Sequence, residues 1–118
     1  DDPIPIYSTS NIFSLRENMD DLEGVIFTDA PWVIDQQSWL RDLPSKLMKF
    51  WPGDAIQSRQ NAMGYDAYFL TSKLANQNNN YLKEFNGATG QLYMDSENKI
   101  RRRLAWAKLI DGKTEVTE

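Results

Sequence analysis

The side chains that could carry chemistry in this sequence are carboxylates, hydroxyls and amines, because the chain contains no histidine and no cysteine. Histidine is the commonest general base near neutral pH and a frequent metal ligand, and cysteine supplies thiolate ligands and nucleophiles. Without them, neither an acid-base pair nor an activated nucleophile can be placed in the sequence. We therefore expect a binding protein rather than an enzyme, and no cofactor.

Three short segments carry residue types typical of ion or phosphate sites. Asp20 and Asp21 offer oxygen ligands for Ca²⁺ or Mg²⁺ but lack the spacing and glycine of an EF-hand, so we interpret them as a solvated loop, with a cation site as the alternative. Asp95 to Asn98 joins two alternating runs, which indicates a hairpin turn. Gly87 to Gly90 is followed by no Gly-Lys-Ser/Thr, which favours a tight bend over a phosphate loop. No metal site is predicted.

Polar residues at the ends of two predicted strands are the candidates for a small-ligand cleft. In open α/β sheets, ligands collect where the strands end, because hydroxyls and free backbone N–H groups face the crevice there. Ordinary strand-terminating loops are the alternative. The candidate cleft residues are Tyr7, Ser8, Thr9, Ser10 and Asp29.

Aromatic and arginine side chains, if exposed, are the candidates for contact with a protein partner. The one basic cluster, residues 101–103, alternates between the two faces of a predicted strand and so cannot form a single clamp. We expect a salt-bridged surface strand here, with contact to an anionic ligand or to a partner as the alternative. The tryptophans are expected to be core residues or interface anchors, with stacking platforms as the alternative. The candidate partner-binding residues are Trp32, Arg101, Arg103 and Trp106.

The strands that position these residues indicate an α/β fold. Ile4 to Ser10 and Leu22 to Thr28 are predicted as two short strands, the second stopped by Asp29-Ala30-Pro31. Gln91 to Met94 and Ile100 to Ile110 are predicted as a C-terminal β-hairpin, followed by a polar tail or edge strand. Because the first two strands lack neighbours for a sheet covered on both faces, we expect self-association if the chain folds alone.

About three helices are predicted between the first strands and the hairpin. Gln36 to Trp51 divides at Pro44 into two short helices, because proline suits a first helical turn and disrupts a helix interior. A longer helix is predicted from Ala55 or Ser58 to about Asn76, with a wide buried face and with Gly64 at a close approach to a neighbour. Tyr81 to Asn86 is predicted as a short helical turn.

The charge distribution argues against nucleic acid as a partner. The chain has 13 basic and 17 acidic residues, whereas polyanion binders are basic. Residues 1–35 carry eight acidic side chains and one basic side chain, interpreted as solvated loops, with a surface for a basic partner as the alternative. No run approaches the ~20 apolar residues of a membrane span, and the start at Asp1 indicates a processed or truncated chain. Any membrane attachment is therefore expected through a lipid anchor on upstream sequence.

The first third of the chain resembles type I periplasmic binding proteins. Pro5 to Ser10, then Leu22 to Phe27 running into Asp29 to Trp32, is similar to the segment where those proteins cross between their two lobes. The resemblance implies a single fragment from the C-terminal part of a two-lobed α/β domain. Residues 1–35 would then be lobe-crossing strands, residues 36–80 helices and residues 81–118 the terminal hairpin.

Later blocks narrow the resemblance to one family. Ala62 to Tyr68, Phe85 to Leu92 and Ile100 to Trp106 look like the C-terminal end of the LpoA, or LppC-type, outer-membrane lipoproteins. The resemblance implies a non-catalytic regulator that binds and activates a class A penicillin-binding protein, a peptidoglycan synthase. It also implies a periplasmic location, tethered to the inner face of the outer membrane. The alternative is a periplasmic receptor for an amino acid or a similar small polar ligand.

Overall fold

Two β-sheets and three α-helices make up the α/β fold of the computed structural model, which describes residues 4–13, 19–35, 40, 42–50, 58–76 and 84–117. The four-stranded sheet has the order β1-β2-β6-β7, formed by Tyr7–Ser8, Ile26–Asp29, Ala105–Ile110 and Lys113–Thr117. The three-stranded sheet has the order β3-β4-β5, formed by Phe85–Asn86, Gln91–Met94 and Ile100–Arg103. The helices are α1 (Pro31–Ile34), α2 (Asp42–Met48) and α3 (Arg59–Ala75).

Strand β2 has a neighbour on each side. It pairs in parallel with β1, where Tyr7 lies opposite Ile26, and antiparallel with β6, where Phe27 lies opposite Ala107. The prediction that the first two strands lack neighbours is therefore wrong for β2. β1 is shorter than the predicted strand over residues 4–10, because Pro5 has no N–H for a ladder and a 3₁₀ turn begins at Ser10. Self-association of the chain stays a prediction.

The core lies on one face of the four-stranded sheet. Phe27, Ala107 and Leu109 have no exposed surface there, and Trp32 and Ile34 of α1 belong to the same buried cluster. Alternate residues of a strand point to opposite faces, which explains why the positions between them in β2 and β6 are more exposed. Each large apolar side chain in such a core contributes about 1.5–3 kcal/mol, so the cluster fixes α1 against the sheet.

Helix positions agree with the sequence where capping residues mark them. Ser58 caps α3, its Oγ accepting a hydrogen bond from the backbone N–H of Asn61, and the helix ends one residue before the predicted Asn76. α2 begins at Asp42 rather than at Pro44, which lies in its first turn, where a proline N–H is not needed. The helix predicted before Pro44 falls mostly outside the described residues, as does Trp39.

The buried face of α3 is narrower than predicted. Ala62 and Asp66, one helical turn apart, are buried, whereas Met63 and Ala67 of the predicted face are exposed. The prediction that α3 has a wide buried face is therefore wrong. The close approach expected at Gly64 is also wrong, because a Cβ at that position would meet no atom within 4 Å. The buried face of α3 therefore includes a carboxylate, that of Asp66.

The C-terminal hairpin is confirmed, but its second strand divides between the two sheets. β4 and β5 pair antiparallel with Gln91 opposite Arg103, and the chain then passes through Leu104 into β6, which pairs with β2 and β7. β7 is the edge strand predicted as one option for the tail. Phe85 lies in β3, paired with Leu92, so the helical turn predicted there is wrong; residues 81–83 lie outside the described part.

Candidate functional site

A buried aspartate of α3 holds the bend that precedes β4. Asp66 is 3% exposed, and its Oδ1 accepts a hydrogen bond from the backbone N–H of Ala88 at 2.7 Å. Its Oδ2 accepts from the backbone N–H and the hydroxyl of Thr89, at 2.8 and 2.6 Å. These donors replace the water that the carboxylate loses on burial. Asp66 therefore connects α3 to the bend.

Two glycines of the bend are required by close contacts. A Cβ at Gly87 would lie 2.7 Å from both carboxylate oxygens of Asp66. Gly90 has a φ of 141°, which side chains rarely adopt, and a Cβ there would strike the carbonyl oxygen of Arg103 in β5. The tight bend predicted over residues 87–90 is confirmed, and its glycines serve packing.

A second buried aspartate ends β2 and is paired with the first residue of α3. Asp29 is 2% exposed, and Arg59 donates to its carboxylate through Nε at 2.9 Å and through Nη2 at 2.6 Å. The same Nη2 donates to the carbonyl oxygen of Ser10 at 2.7 Å. The hydrogen bond to Asp29 raises the pKa of the Arg59 guanidinium, which therefore stays charged. Arg59 thus joins the ends of β1 and β2 to α3.

The candidate cleft residues divide between the two faces of the four-stranded sheet, and Ser8, which lies opposite Phe27, shares the face of Asp29. Asp29 shares the buried face with Phe27, whereas Tyr7 lies opposite Ile26 and therefore on the other face of the sheet. Ser10 approaches Asp29 only through its carbonyl oxygen, by way of Arg59. A small ligand that needs the Asp29 carboxylate would have to displace Arg59.

Trp32 is a core residue, so the expectation that it is an exposed anchor is wrong. Its side chain is 4% exposed, and its ring centroid lies 5.9 Å from that of Tyr65 on α3. Its backbone N–H donates to the carbonyl oxygen of Ala88 in the bend. Burial, with a smaller effect of the Asp66 charge, raises the pKa of the Tyr65 phenol. The contact between the Trp32 and Tyr65 rings packs α1 against α3.

Trp106 lies on the face of the four-stranded sheet opposite the core. It is 44% exposed and forms an edge-to-face pair with the exposed Tyr7 of β1, with 6.0 Å between ring centroids. Thr28 lies opposite Trp106 in the register of β2 and β6, so the pair spans three strands. An exposed aromatic pair on a rigid sheet is typical of a protein-binding anchor. We call Tyr7 and Trp106 the aromatic pair.

The arginines of β5 are exposed and differ in their partners. Arg101 donates through Nε to Asp95 Oδ2 at 2.6 Å. The hydrogen bond from the backbone N–H of Lys99, and after it the bond from Arg101, lowers the pKa of the Asp95 carboxyl below its usual value. Arg103 donates to the side-chain oxygen of Gln91 and lies over the ring of Tyr93, 5.6 Å from its centroid. Arg101 and Arg103 share one face of the three-stranded sheet, as predicted from their spacing.

Within the described residues, no group of three or more acidic side chains is placed to hold a metal ion. Asp20 and Asp21 lie in an exposed 3₁₀ turn. The residues that sequence reasoning missed are Arg59 and Asp66. The only available signal was a polar residue on a helix face expected to be apolar, at Asp66, and no local pattern marked Arg59, whose partner lies 30 positions away.

Comparison with known proteins identifies the family. The model of the LppC putative lipoproteins matches residues 1–112. The penicillin-binding protein activator LpoA of Vibrio vulnificus is 29% identical over 105 residues, which cover 88% of this chain and 17% of that protein. LpoA of Photobacterium profundum is 32% identical over 103 residues, which cover 83% of this chain and 16% of that protein. The chain therefore spans about a sixth of the length of these curated relatives.

Solved structures agree. The C-domain of Haemophilus influenzae LpoA, described as a regulator of PBP1A, has a TM-score of 0.65 at 26% identity, covering 96% of this chain and 36% of that chain. A putative branched-chain amino acid ABC transporter from Chromobacterium violaceum has a TM-score of 0.64 at 26% identity, covering 89% and 34%. Both matches confirm an α/β segment of a periplasmic-binding-protein-like fold. With a family match over residues 1–112, this chain belongs to the LppC putative lipoprotein family.

Proposed function

We propose that this chain is part of a non-catalytic regulator of peptidoglycan synthesis that binds and activates a class A penicillin-binding protein. The observation that carries the proposal is the structural match, over 96% of the chain, to an LpoA C-domain described as a regulator of PBP1A. The relatives matched in sequence are likewise named penicillin-binding protein activators. The chain covers a minor part of each, so the activity of the whole protein is inferred for a larger molecule.

The chemistry of the buried polar residues supports binding rather than catalysis. The buried polar side chains of the described residues are Asp29, Asp66 and Thr89, and each is engaged in the contacts that fix α3 and the bend. A general base or nucleophile needs a reactive atom facing a substrate, and these atoms face neighbouring parts of the chain. The absence of histidine and cysteine points the same way.

The proposed location is the periplasm, with the parent protein tethered to the inner face of the outer membrane by a lipid anchor upstream of this chain. The match to a lipoprotein family supports this proposal. Among the described helices, none is long and apolar enough to cross a bilayer.

We expect Trp106→Ala to weaken binding of the class A synthase by about 30-fold, because a central aromatic anchor contributes about 2 kcal/mol. Trp106 is half-exposed and already ordered by Tyr7, so little conformational freedom is lost on binding. Titration calorimetry of the chain with the synthase measures the change. Arg101→Ala and Arg103→Ala are expected to give smaller losses, since exposed charges contribute less.

The control for Trp106→Ala is Tyr68→Ala, which removes a 74% exposed aromatic side chain of α3. This variant is expected to bind the synthase as the unmodified chain does. Equal affinity of Trp106→Ala and the unmodified chain would remove the aromatic pair from the proposed interface.

The second candidate function is a receptor for an amino acid or similar polar ligand, favoured by the similarity to the Chromobacterium violaceum chain. The ion pair between Asp29 and Arg59 opposes it, because the carboxylate is occupied by a side chain of the protein itself. We therefore expect no amino acid to raise the melting temperature in a thermal-shift series. A ligand present at a hundred times its Kd would stabilise the chain by about 2.7 kcal/mol, which such a series would detect.

A further inference from the structure

The outer edge of β5 is open in the described part of the chain. β5 pairs on one side with β4 and with no strand on the other. The backbone N–H of Asp95 donates to Lys99, and since hydrogen-bonded pairs alternate along an antiparallel ladder, Arg101 and Arg103 also bond to β4 through their backbones. The backbone N–H and C=O groups of Ile100 and Arg102 therefore point away from β4, toward the open edge.

The same edge carries uncompensated positive charge on an otherwise acidic protein. Residues 95–103 contain two acidic and four basic side chains, in a chain whose net charge is -4. Arg101 pairs with Asp95 and Lys99 with Glu97, but Arg103 contacts the neutral Gln91 and Tyr93. Arg102 has no ion-pair partner among the described residues.

We infer that the open edge of β5 binds an extended acidic segment of a partner protein, which adds to the three-stranded sheet as a further strand. Backbone groups of Ile100 and Arg102 would supply the ladder hydrogen bonds. Side chains of an added strand alternate between faces, so carboxylates at every second position would lie beside Arg101 and Arg103. Apolar residues between them would lie on the other face, where Ile100 is 38% exposed and the aliphatic part of Arg102 also lies.

The arginines also select against the simplest competing occupant, a second copy of β5. Charged side chains on an edge strand oppose pairing with an identical strand, because like charges would then face one another. Carboxylates on an added segment would instead place opposite charges beside the arginines, which stabilises the pairing. This inference deepens the proposed function and rests on it for the natural partner, the synthase, whereas the binding of an acidic strand can be measured alone.

The test is a titration of the full chain with a synthetic extended peptide that alternates Glu and Val, and with two matched peptides. In one, Lys replaces each Glu; in the other, the backbone amides are N-methylated. We expect saturable binding of the Glu peptide, with the Kd raised at least about tenfold for the Lys peptide and for the N-methylated peptide. The amide NMR signals of Ile100 and Arg102 should shift on binding.

Variants of the chain locate the site. Arg102→Pro removes an outward N–H without removing a bond to β4, and Arg103→Gln removes a charge; each is expected to raise the Kd at least about tenfold. Lys46→Gln, an exposed charge on α2, is the matched control and should leave the Kd unchanged. Comparable binding of the Glu and N-methylated peptides overturns the inference whether or not Arg102→Pro folds.

Failure of this inference is distinguishable from failure of the proposed function. If the chain binds the synthase but binds the Glu and Lys peptides equally, strand addition is wrong and the proposed function stands. If the Glu peptide binds selectively at Ile100 and Arg102 while the synthase does not bind, the edge inference holds and its natural partner is another acidic protein.

Discussion

Asp66→Ala is expected to lower the free energy of unfolding by about 4 kcal/mol. The substitution removes the acceptor for the backbone N–H groups of Ala88 and Thr89 and for the Thr89 hydroxyl, all of them buried. A buried donor left without a partner costs about 1–3 kcal/mol. Since small domains are stable by only about 5–15 kcal/mol, the variant should be close to unfolding at room temperature. Urea denaturation followed by circular dichroism measures the loss.

Two control variants distinguish the stability contributed by the Asp66 carboxylate from the general effect of a substitution in α3. Gln60→Ala changes an exposed residue of α3 and should alter stability by less than about 0.5 kcal/mol. Asp66→Asn keeps one acceptor oxygen and places an amide against the donors, so its loss should be intermediate. A loss below about 1 kcal/mol for Asp66→Ala would contradict the role of this side chain in holding the bend.

The second large loss of stability is expected when the ion pair between Asp29 and Arg59 is broken. Arg59→Met keeps an apolar stem in place of the aliphatic part of arginine but leaves the Asp29 carboxylate buried, with the backbone N–H of Ala30 as its remaining described donor. Breaking a buried pair by removing one partner costs about 3–5 kcal/mol. Arg59 is 42% exposed and water can replace part of it, so we expect about 3 kcal/mol.

A double-mutant cycle isolates the interaction itself. Asp29→Leu alone leaves the guanidinium of Arg59 without its carboxylate partner. Asp29→Leu combined with Arg59→Met leaves neither charge of the pair. The double variant should therefore be more stable than the sum of the single losses predicts, by about 2 kcal/mol. Additivity within about 0.5 kcal/mol would mean that the two side chains do not stabilise each other. Chemical denaturation of the four proteins under one buffer condition provides the comparison.

Local signals were sufficient for several elements of the fold. Ser58 marks the start of α3, and alternation with a turn at residues 95–99 marks the hairpin, because capping and turn chemistry depend on neighbours in sequence. The sequence predicts a helical turn at Phe85, but the residue lies in β3. Its state is decided by pairing with Leu92, a contact that no local pattern encodes.

Exposure was harder to predict than secondary structure. Trp32 and Trp106 each follow or lie in a strand, yet one packs on Tyr65 and the other lies on the open face. Which face of a sheet a helix covers depends on the whole topology, so residue type could not separate them. For the same reason Arg59 was missed: its role depends on meeting Asp29, brought to it by the fold.

The single residue between β5 and β6 has a consequence for how a partner could engage this protein. Arg103 and Trp106 belong to different sheets but lie three positions apart, a separation of at most about 11 Å along the backbone. One protein surface can therefore contact both. Once a partner is bound at the edge of β5, its binding site for the aromatic pair is held close to that pair, which raises the effective concentration of the site. Two weak contacts would therefore combine into tighter binding. Loss of either contact alone should then accelerate dissociation more than it slows association.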